Sequence, residues 1–212
     1  MFESRALLGT WIRHAAAPAI LLIPCLAATA AGFFLLQQFN GTAAPQHSAP
    51  PVWPRSSELV RPANRPQILV FLHPFCSCSR ATLHELARVI AQVQRPERRP
   101  RIDVLFVRTE EKWPEGDLWR QATGIPGAIA RWDEGARAAA LFSARTSGVV
   151  LLYGVHGELL FQGGVTGSRG HEGDNFGASR LLTALETGRP VGIVSQVFGC
   201  ALARAGQRDG AL

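Results

Sequence analysis

Two cysteines separated by one residue, Cys76 and Cys78, are the residues of this chain best suited to chemistry. They follow a continuous apolar run, "ILVFL" at residues 68–72, and precede a segment with helical hydrophobic spacing. The first turn of a helix stabilises a thiolate through its free N–H groups and the positive end of its dipole. We therefore predict that Cys76 is a nucleophile with a lowered pKa and is the more exposed of the two thiols. A protonated His73 would lower that pKa further.

The role of Cys78 is left open by its spacing. Residues i and i+2 of a helix do not face each other, so a Cys76–Cys78 disulfide requires Cys76 to lie outside the helix. Such a ring is small and strained, and strain makes a disulfide easier to reduce. The alternative partner is Cys200, far along the chain in "QVFGCAL". Because this apolar stretch can dock on a domain, we predict that the Cys200 sulfur lies within reach of the other two.

A metal site is the competing interpretation of the same residues. His73, Cys76 and Cys78 supply imidazole and soft sulfur within six residues, a set that suits Cu(I). His171 or Cys200 would complete the ligands. With four cysteines and no pair of Cys-x-x-Cys knuckles, the chain is neither a disulfide scaffold nor a structural zinc protein.

The overall composition indicates one domain with additional segments. The chain has 212 residues and a formal net charge of +6, carried largely by scattered arginines. Scattered charge without interleaved aromatic residues does not form a nucleic-acid surface, so we expect no nucleic-acid partner.

Residues 15–37 are uncharged and long enough to cross a bilayer core of about 30 Å. Arg5 and Arg13 precede them, and no further Lys or Arg occurs until Arg55. The positive-inside rule therefore predicts cytoplasmic residues 1–14 and an external remainder. A cleaved signal peptide and a lipoprotein site at Cys25 are the alternatives, but apolar residues continue past "ATA" and Pro24 precedes that cysteine.

The rest of the chain divides by composition. Residues 38–66 are rich in proline and small polar residues and are predicted to be a linker. A domain at residues 67–190 and a weakly patterned tail at residues 191–212 follow. Within the domain we predict, in order, a strand at 68–72, a helix capped by Ser79 and stopped by Pro96, a strand at 101–108, helices at 116–127 and 133–142, a hairpin at 147–164, and a helix at 173–188 capped by Asp174.

This order of elements resembles the thioredoxin-like fold, an α/β fold with a central mixed sheet flanked by helices, here after a single transmembrane helix. "FLHPFCSCSRATLHEL" is similar to the active-site segment of that fold, with Cys76 at the position of the nucleophile. "DEGARAAALF" and "TSGVVLLYGVHGEL" resemble the second half of membrane-anchored reductases of the TlpA and ResA kind. "GGVTGSRGHEG" and "VFGC" resemble the RedB-like group more particularly.

The chain departs from the family pattern at two positions. Ser79 stands where the resolving cysteine would fall, and Gly148 stands near the position of the usual cis-proline. Both departures argue against ordinary Cys-x-x-Cys chemistry. They make Ser79 and Gly148 supporting residues of the predicted site, together with His73 and Cys200.

The resemblance implies thiol–disulfide exchange on exported proteins by a bacterial inner-membrane protein with a periplasmic domain. Cys76 would attack, Cys78 would resolve, and no cofactor would be needed. The partners would be exported protein thiols or disulfides and an unidentified redox partner. The alternatives are a copper-binding assembly factor using the same cysteines plus histidine, and a redox-inactive docking module.

The topology prediction is tested with a reporter fused after Pro66. We expect alkaline phosphatase, which is active only in the periplasm, to be active at this point, because the arginines precede the apolar segment. Activity confined to a cytoplasmic reporter at the same position would contradict the predicted orientation.

Overall fold

A computed structural model describes the backbone of residues 4–108, 115–192 and 194–202, and the side chains of those residues from 21 onward. The first three residues and the end of the predicted tail, residues 203–212, lie outside this description. The chain divides into two compact units, one ending at Gly41 and the other beginning at Thr42.

The first unit is one helix, α1, from Ser4 to Gly41. It extends beyond the predicted residues 15–37 at both ends. Its part from Leu21 to Gly41 is long and apolar enough to cross a membrane, with a mean hydropathy of 1.6. The chain therefore carries one N-terminal helix suited to a single-pass anchor.

The second unit is built around a five-stranded mixed sheet in the order β3-β2-β1-β4-β5. Strand β1 pairs in parallel with β2 and antiparallel with β4, and all six residues of β1 are buried. The elements of this unit, in chain order, are β1 (Gln67–Leu72), α2 (Ser77–Gln92), a 3-10 turn (Pro96–Arg98), β2 (Arg101–Arg108), α3 (Asp117–Thr123), β3 (Ala128–Glu134), α4 (Arg137–Leu141), β4 (Val149–Tyr153), β5 (Leu159–Gly163) and α5 (Phe176–Thr187). A βαβ half joined to a ββα half is the predicted thioredoxin-like fold.

Several predicted elements are confirmed. Strand β2 has the predicted bounds, and β4 and β5 form the predicted antiparallel hairpin. Helix α2 buries the apolar residues of the predicted face, among them Leu83, Leu86 and Ile90, against the sheet. The continuous apolar runs of β1 and β2 were recognisable because both faces of a central strand are covered.

The predicted helix at 133–142 is wrong in its first part. Residues Ala128–Glu134 form strand β3, paired in parallel with β2, and helix α4 begins only at Arg137. As an edge strand with mixed exposure, β3 lacks the apolar run that identified β1 and β2. Asp133, at its end, accepts hydrogen bonds from the N–H groups of Ala138 and Ala139 at 2.8 Å each, so it caps α4 from the preceding strand.

The residues predicted to cap two of the helices are wrong. Cys76, rather than Ser79, occupies the N-cap position of α2, and its side chain makes no capping hydrogen bond. Asn175, rather than Asp174, caps α5, since its Oδ1 accepts from the N–H of Ala178 at 2.9 Å.

The predicted linker packs on the domain over much of its length. Trp53 donates its N–H to the carbonyl of Gly157 at 2.7 Å. Its ring meets those of Phe142 and Tyr153 edge-on, at centroid distances of 5.0 and 5.2 Å. The Tyr153 hydroxyl donates to the carbonyl of Pro50 at 2.9 Å. The proline-rich composition was indicative of a spacer, but these contacts make residues 44–53 part of the folded unit.

We expect Trp53→Ala to release this segment. Truncating a partly exposed Trp should cost about 2 kcal/mol, below the usual range for a fully buried one. Trypsin cleavage after Arg55, followed on the full chain in detergent, should then rise roughly thirty-fold if cleavage follows the population of the open state. Val60→Ala, at a side chain 71% exposed in the same segment, is the matched control and should leave the rate unchanged. Equal rates for the two variants would mean that the segment is not held by Trp53.

Candidate functional site

Three cysteines from two distant parts of the chain meet at the N-terminus of α2. The Sγ atoms of Cys76 and Cys200 lie 3.1 Å apart. The Cys78 thiol also hydrogen-bonds to that of Cys76. All three are free thiols in this structure. The prediction that the Cys200 sulfur lies within reach of the Cys-Ser-Cys segment is therefore confirmed.

The two cysteines of the motif are equally inaccessible. Cys76 is 3% exposed and Cys78 is 4% exposed, so the prediction that Cys76 is the more exposed thiol is wrong. The reason is tertiary, because residues 194–202, which we call the C-terminal strap, run beside the helix N-terminus and bring Cys200 against Cys76. Cys200 itself is exposed.

The order of acidity follows the prediction. Burial disfavours the Cys76 thiolate, but hydrogen bonds from the Cys200 thiol and from the backbone N–H groups of Cys200 and Cys78 outweigh it and lower the pKa of Cys76. Burial and the neighbouring Cys76 charge raise the pKa of Cys78. Burial and the hydrogen bond to Cys76 raise the pKa of Cys200 to about 11. The arrangement favours the thiolate of Cys76 and the protonated thiols of its two neighbours.

His73 does not act as the predicted cation. Burial lowers its pKa, which favours the neutral ring, and its Nδ1 accepts a hydrogen bond from the N–H of Phe75 at 3.2 Å. Its backbone has the larger part in the site, because its carbonyl accepts from the N–H of Cys76 at 3.1 Å. His73 therefore shapes the loop between β1 and α2.

Ser79 does not cap α2 but takes part in a buried chain of hydrogen bonds. Its hydroxyl donates to the carbonyl of His73 at 2.9 Å and shares a hydrogen bond with the hydroxyl of Ser147 at 3.0 Å. The Ser147 hydroxyl in turn accepts from the N–H of His73 at 2.9 Å. Both serines are fully buried, so this link fixes the active-site loop to the segment that precedes β4.

Gly148 occupies the predicted position beside the site with a backbone that favours glycine. Its φ is +95°, and its N–H donates to the carbonyl of Phe71 at 2.8 Å. An added Cβ would lie 3.1 Å from the Thr82 hydroxyl of α2. Throughout the described residues every peptide bond is trans, so the glycine makes this close approach without a cis-proline.

Arg169 is the functional residue that the sequence interpretation missed. Its guanidinium lowers the pKa values of both Cys78 and Cys200 by its charge, against the burial that raises them. It also donates to the carbonyl of Gly199 at 2.7 Å and so holds the strap. The next residue, Gly170, donates its N–H to the Cys78 sulfur. The segment "GSRGHEG" contains both Arg169 and His171, but only the histidine is a metal-ligand type, so the sequence pattern pointed to His171.

The loop that carries Arg169 is held by a buried carboxylate of α2. Glu85 is 2% exposed and accepts from the N–H of Gly173 at 2.7 Å and from Arg88 at 3.0 Å. His171 is exposed on this loop. Among the residues that the structure describes, no group of three or more His, Cys, Asp and Glu side chains is placed to hold a metal ion. Of the predicted ligands, the three cysteines meet at the N-terminus of α2, whereas His171 lies exposed on this loop.

A cleft of about 430 Å³ opens beside Cys76. Its walls are largely aromatic: Trp119 stacks on Trp132 and on Phe106, at centroid distances of 4.9 and 5.4 Å. Phe75, next to the nucleophile, is 70% exposed and lines the same cleft. An apolar segment that flanks a substrate cysteine would fit this surface.

Comparison with known proteins supports the fold without supplying a function. No family model and no curated protein sequence matches the chain. An uncharacterised conserved protein from Geobacillus kaustophilus is similar in structure, with 20% identity and a TM-score of 0.54, covering 77% of this chain and 90% of that one. A hypothetical protein from Sinorhizobium meliloti has 16% identity and a TM-score of 0.52, covering 77% and 93%.

A thioredoxin is among the weaker matches. The exposed lipoprotein thioredoxin of Streptococcus pneumoniae has 15% identity and a TM-score of 0.39, covering 59% of this chain and 86% of its own. A TM-score below 0.5 does not establish a shared fold, whereas the two matches above 0.5 concern the fold alone at their identities. The chain has a thioredoxin-like fold in which a Cys-Ser-Cys segment meets a third cysteine from the C-terminal strap.

We expect Cys200→Ala to raise the pKa of Cys76, because the variant removes a thiol that donates a hydrogen bond to the Cys76 thiolate. The measurement is the rate of alkylation of Cys76 against pH, read by peptide mapping of the reduced full chain in detergent. Cys25→Ala, in the N-terminal helix, is the control and should leave the profile unchanged. An unaltered or lower Cys76 pKa in Cys200→Ala would contradict the assigned hydrogen bond.

Proposed function

We propose that this chain is a membrane-anchored thiol–disulfide oxidoreductase of the TlpA and ResA kind, most like the RedB-like group, that acts in the periplasm on exported proteins. The observation that carries the proposal is the Cys76 sulfur at the N-terminus of α2, 3.1 Å from a second thiol. A thiolate with a second thiol in contact is the minimum for reversible disulfide exchange.

The electrostatics of the site support Cys76 as the attacking group. Exchange requires a thiolate, and the fraction of thiolate at neutral pH rises as the pKa falls. The pKa of Cys76 is lowered by the neighbouring donors despite its burial. Those of Cys78 and Cys200 are raised. Only one of the three thiols is thus prepared to attack, while the others remain protonated until the first disulfide forms.

The cleft supports a protein substrate. A disulfide that approaches Cys76 from the side of Phe75 and Trp119 would place its flanking residues on aromatic surface. Such surface binds extended apolar segments with little side-chain selectivity. Exported proteins that expose such segments before folding are the substrate class that we propose.

The N-terminal helix supports attachment to the inner membrane. Its apolar part is long enough to span a bilayer, and the arginines at positions 5 and 13 favour a cytoplasmic N-terminus. In that orientation the domain works in an oxidising compartment, where exported proteins acquire disulfides.

Reduction of insulin by dithiothreitol, catalysed by the full chain in detergent, tests the proposal. We expect Cys76→Ser to lower the rate to the uncatalysed background, because no other thiol of the site is prepared to attack. Cys25→Ser should keep the parent rate. A parent protein no faster than background, or one that is isolated anaerobically with stoichiometric Cu(I) and unreactive thiols, would reject exchange and favour the copper-binding alternative.

A further inference from the structure

The C-terminal strap presents Cys200 to Cys76 by backbone pairing. The N–H of Ser147 donates to the carbonyl of Cys200 at 2.8 Å, and the N–H of Leu202 donates to the carbonyl of Arg145 at 2.9 Å. These two bonds form an antiparallel bridge between Thr146 and Ala201. The strap thus lies along the segment before β4 as a short extra strand, with its cysteine turned toward the nucleophile.

At Gly199 the backbone of the strap packs directly against the segment before β4. A Cβ at this position would lie 1.9 Å from the carbonyl oxygen of Ser147, so only glycine permits the observed approach. The guanidinium of Arg169 donates a hydrogen bond to the carbonyl of the same Gly199. Hydrogen bonds at Gly199, Cys200 and Leu202 therefore fix the position of the Cys200 sulfur.

The geometry favours Cys200 over Cys78 as the partner of Cys76 in a disulfide. The separation of 3.1 Å between the sulfurs exceeds a disulfide bond of about 2.05 Å by only about 1 Å. Cys78 instead lies within the first turn of α2, is buried and receives a hydrogen bond from the N–H of Gly170. Cys76 is the N-cap residue and its thiol contacts that of Cys78, but a disulfide between residues two apart would close a small and strained ring.

We propose that Cys200 is the resolving thiol, so that the oxidised protein carries a Cys76–Cys200 disulfide and Cys78 stays a thiol throughout the cycle. This inference rests on the proposed exchange function and replaces the partner that the Cys-Ser-Cys spacing suggested.

The cycle has two displacement steps. In the first, the Cys76 thiolate attacks a substrate disulfide, a Cys76–substrate disulfide forms, and one substrate thiolate leaves and takes a proton from water. In the second, the Cys200 sulfur attacks the Cys76 sulfur, and the bond between Cys76 and the substrate breaks. The second substrate thiolate leaves with the proton that Cys200 gives up. The substrate gains two electrons and the protein loses two, which a dithiol reductant restores.

The change of charge at Cys76 sets the order of the steps. While Cys76 is a thiolate, its charge and its hydrogen bond keep Cys200 protonated. Once Cys76 is bound to the substrate, that charge is gone, and Arg169 then favours the Cys200 thiolate. Cys78 continues to donate toward the Cys76 sulfur and stabilises it again as a leaving thiolate when the disulfide is reduced.

The test uses the reduced full chain in detergent, in a Cys25→Ser background, with one equivalent of the aromatic disulfide DTNB. We expect the parent and Cys78→Ser to release two thionitrobenzoate anions per protein, with a Cys76–Cys200 disulfide in the peptide map. Cys200→Ser should release one and keep the adduct on Cys76. Intact mass and peptide mapping measure both outcomes.

A second variant leaves every thiol in place. Gly199→Ala should displace the strap and slow the second release by about 100-fold, the cost of misplacing a reacting group by about 1 Å. Because the displaced strap also withdraws donors from Cys76, the first release is compared at a pH above the Cys76 pKa of each variant, where it should not slow. Gln196→Ala, exposed on the same strap, is the matched control and should behave as the parent.

The opposite result overturns the assignment. An adduct that persists in Cys78→Ser but not in Cys200→Ser, or a Cys76–Cys78 disulfide in the parent, would make Cys78 the resolving thiol while leaving the exchange function intact. A Cys76 that fails to react with DTNB in every variant would instead reject both the exchange function and this inference.

Discussion

A buried thiol whose charged form is nevertheless favoured is the constraint on which the rest of this structure depends. Residue Cys76 is 3% exposed, and a thiolate in such a place is stable only if donors replace the lost water. The donors come from α2, from Cys78 and from the strap residue Cys200. Their convergence explains why the site needs two distant regions of the chain, the N-terminus of α2 and the strap, which bridges to Thr146 before β4.

The segment before β4 connects these regions. Ser147 bonds to the active-site loop through its hydroxyl and to the strap through its N–H, while Gly148 brings the backbone close to α2. A single short turn thus positions the nucleophile on one side and its neighbouring thiol on the other. Gly148 stands near the position where the family resemblance places a cis-proline, and Gly199 packs closely against Ser147 beside it.

The two sides of Cys76 differ in chemistry. One side faces the strap, with its thiol, backbone donors and the guanidinium of Arg169. The other borders the aromatic cleft formed around Trp119 and Trp132. In the proposed cycle a substrate would approach from the apolar side and Cys200 would attack from the polar side. The two groups would then not compete for the same space when the mixed disulfide forms.

The sequence by itself determined the elements with strong local signals. The apolar runs of β1 and β2, the periodicity of α2 and the hairpin around Gly157 were sufficient to predict these elements, and their order resembles the thioredoxin-like fold. The place of Cys76 at the start of a helix predicted the direction of its pKa shift, but the first donors that cause the shift belong to Cys200. Strand β3 escaped prediction because an edge strand has no continuous apolar run. Asn175 and Cys76 stand at the caps instead of the predicted residues because several residues near each helix start are able to cap it.

Only the tertiary structure decided what depends on distant contacts: the burial of Cys76, the neutral His73, the role of Arg169 and the docking of the proline-rich segment through Trp53. It also decided the approach of Cys200, since 123 residues separate that cysteine from Cys76 in the chain and no local pattern fixes how such a distance closes.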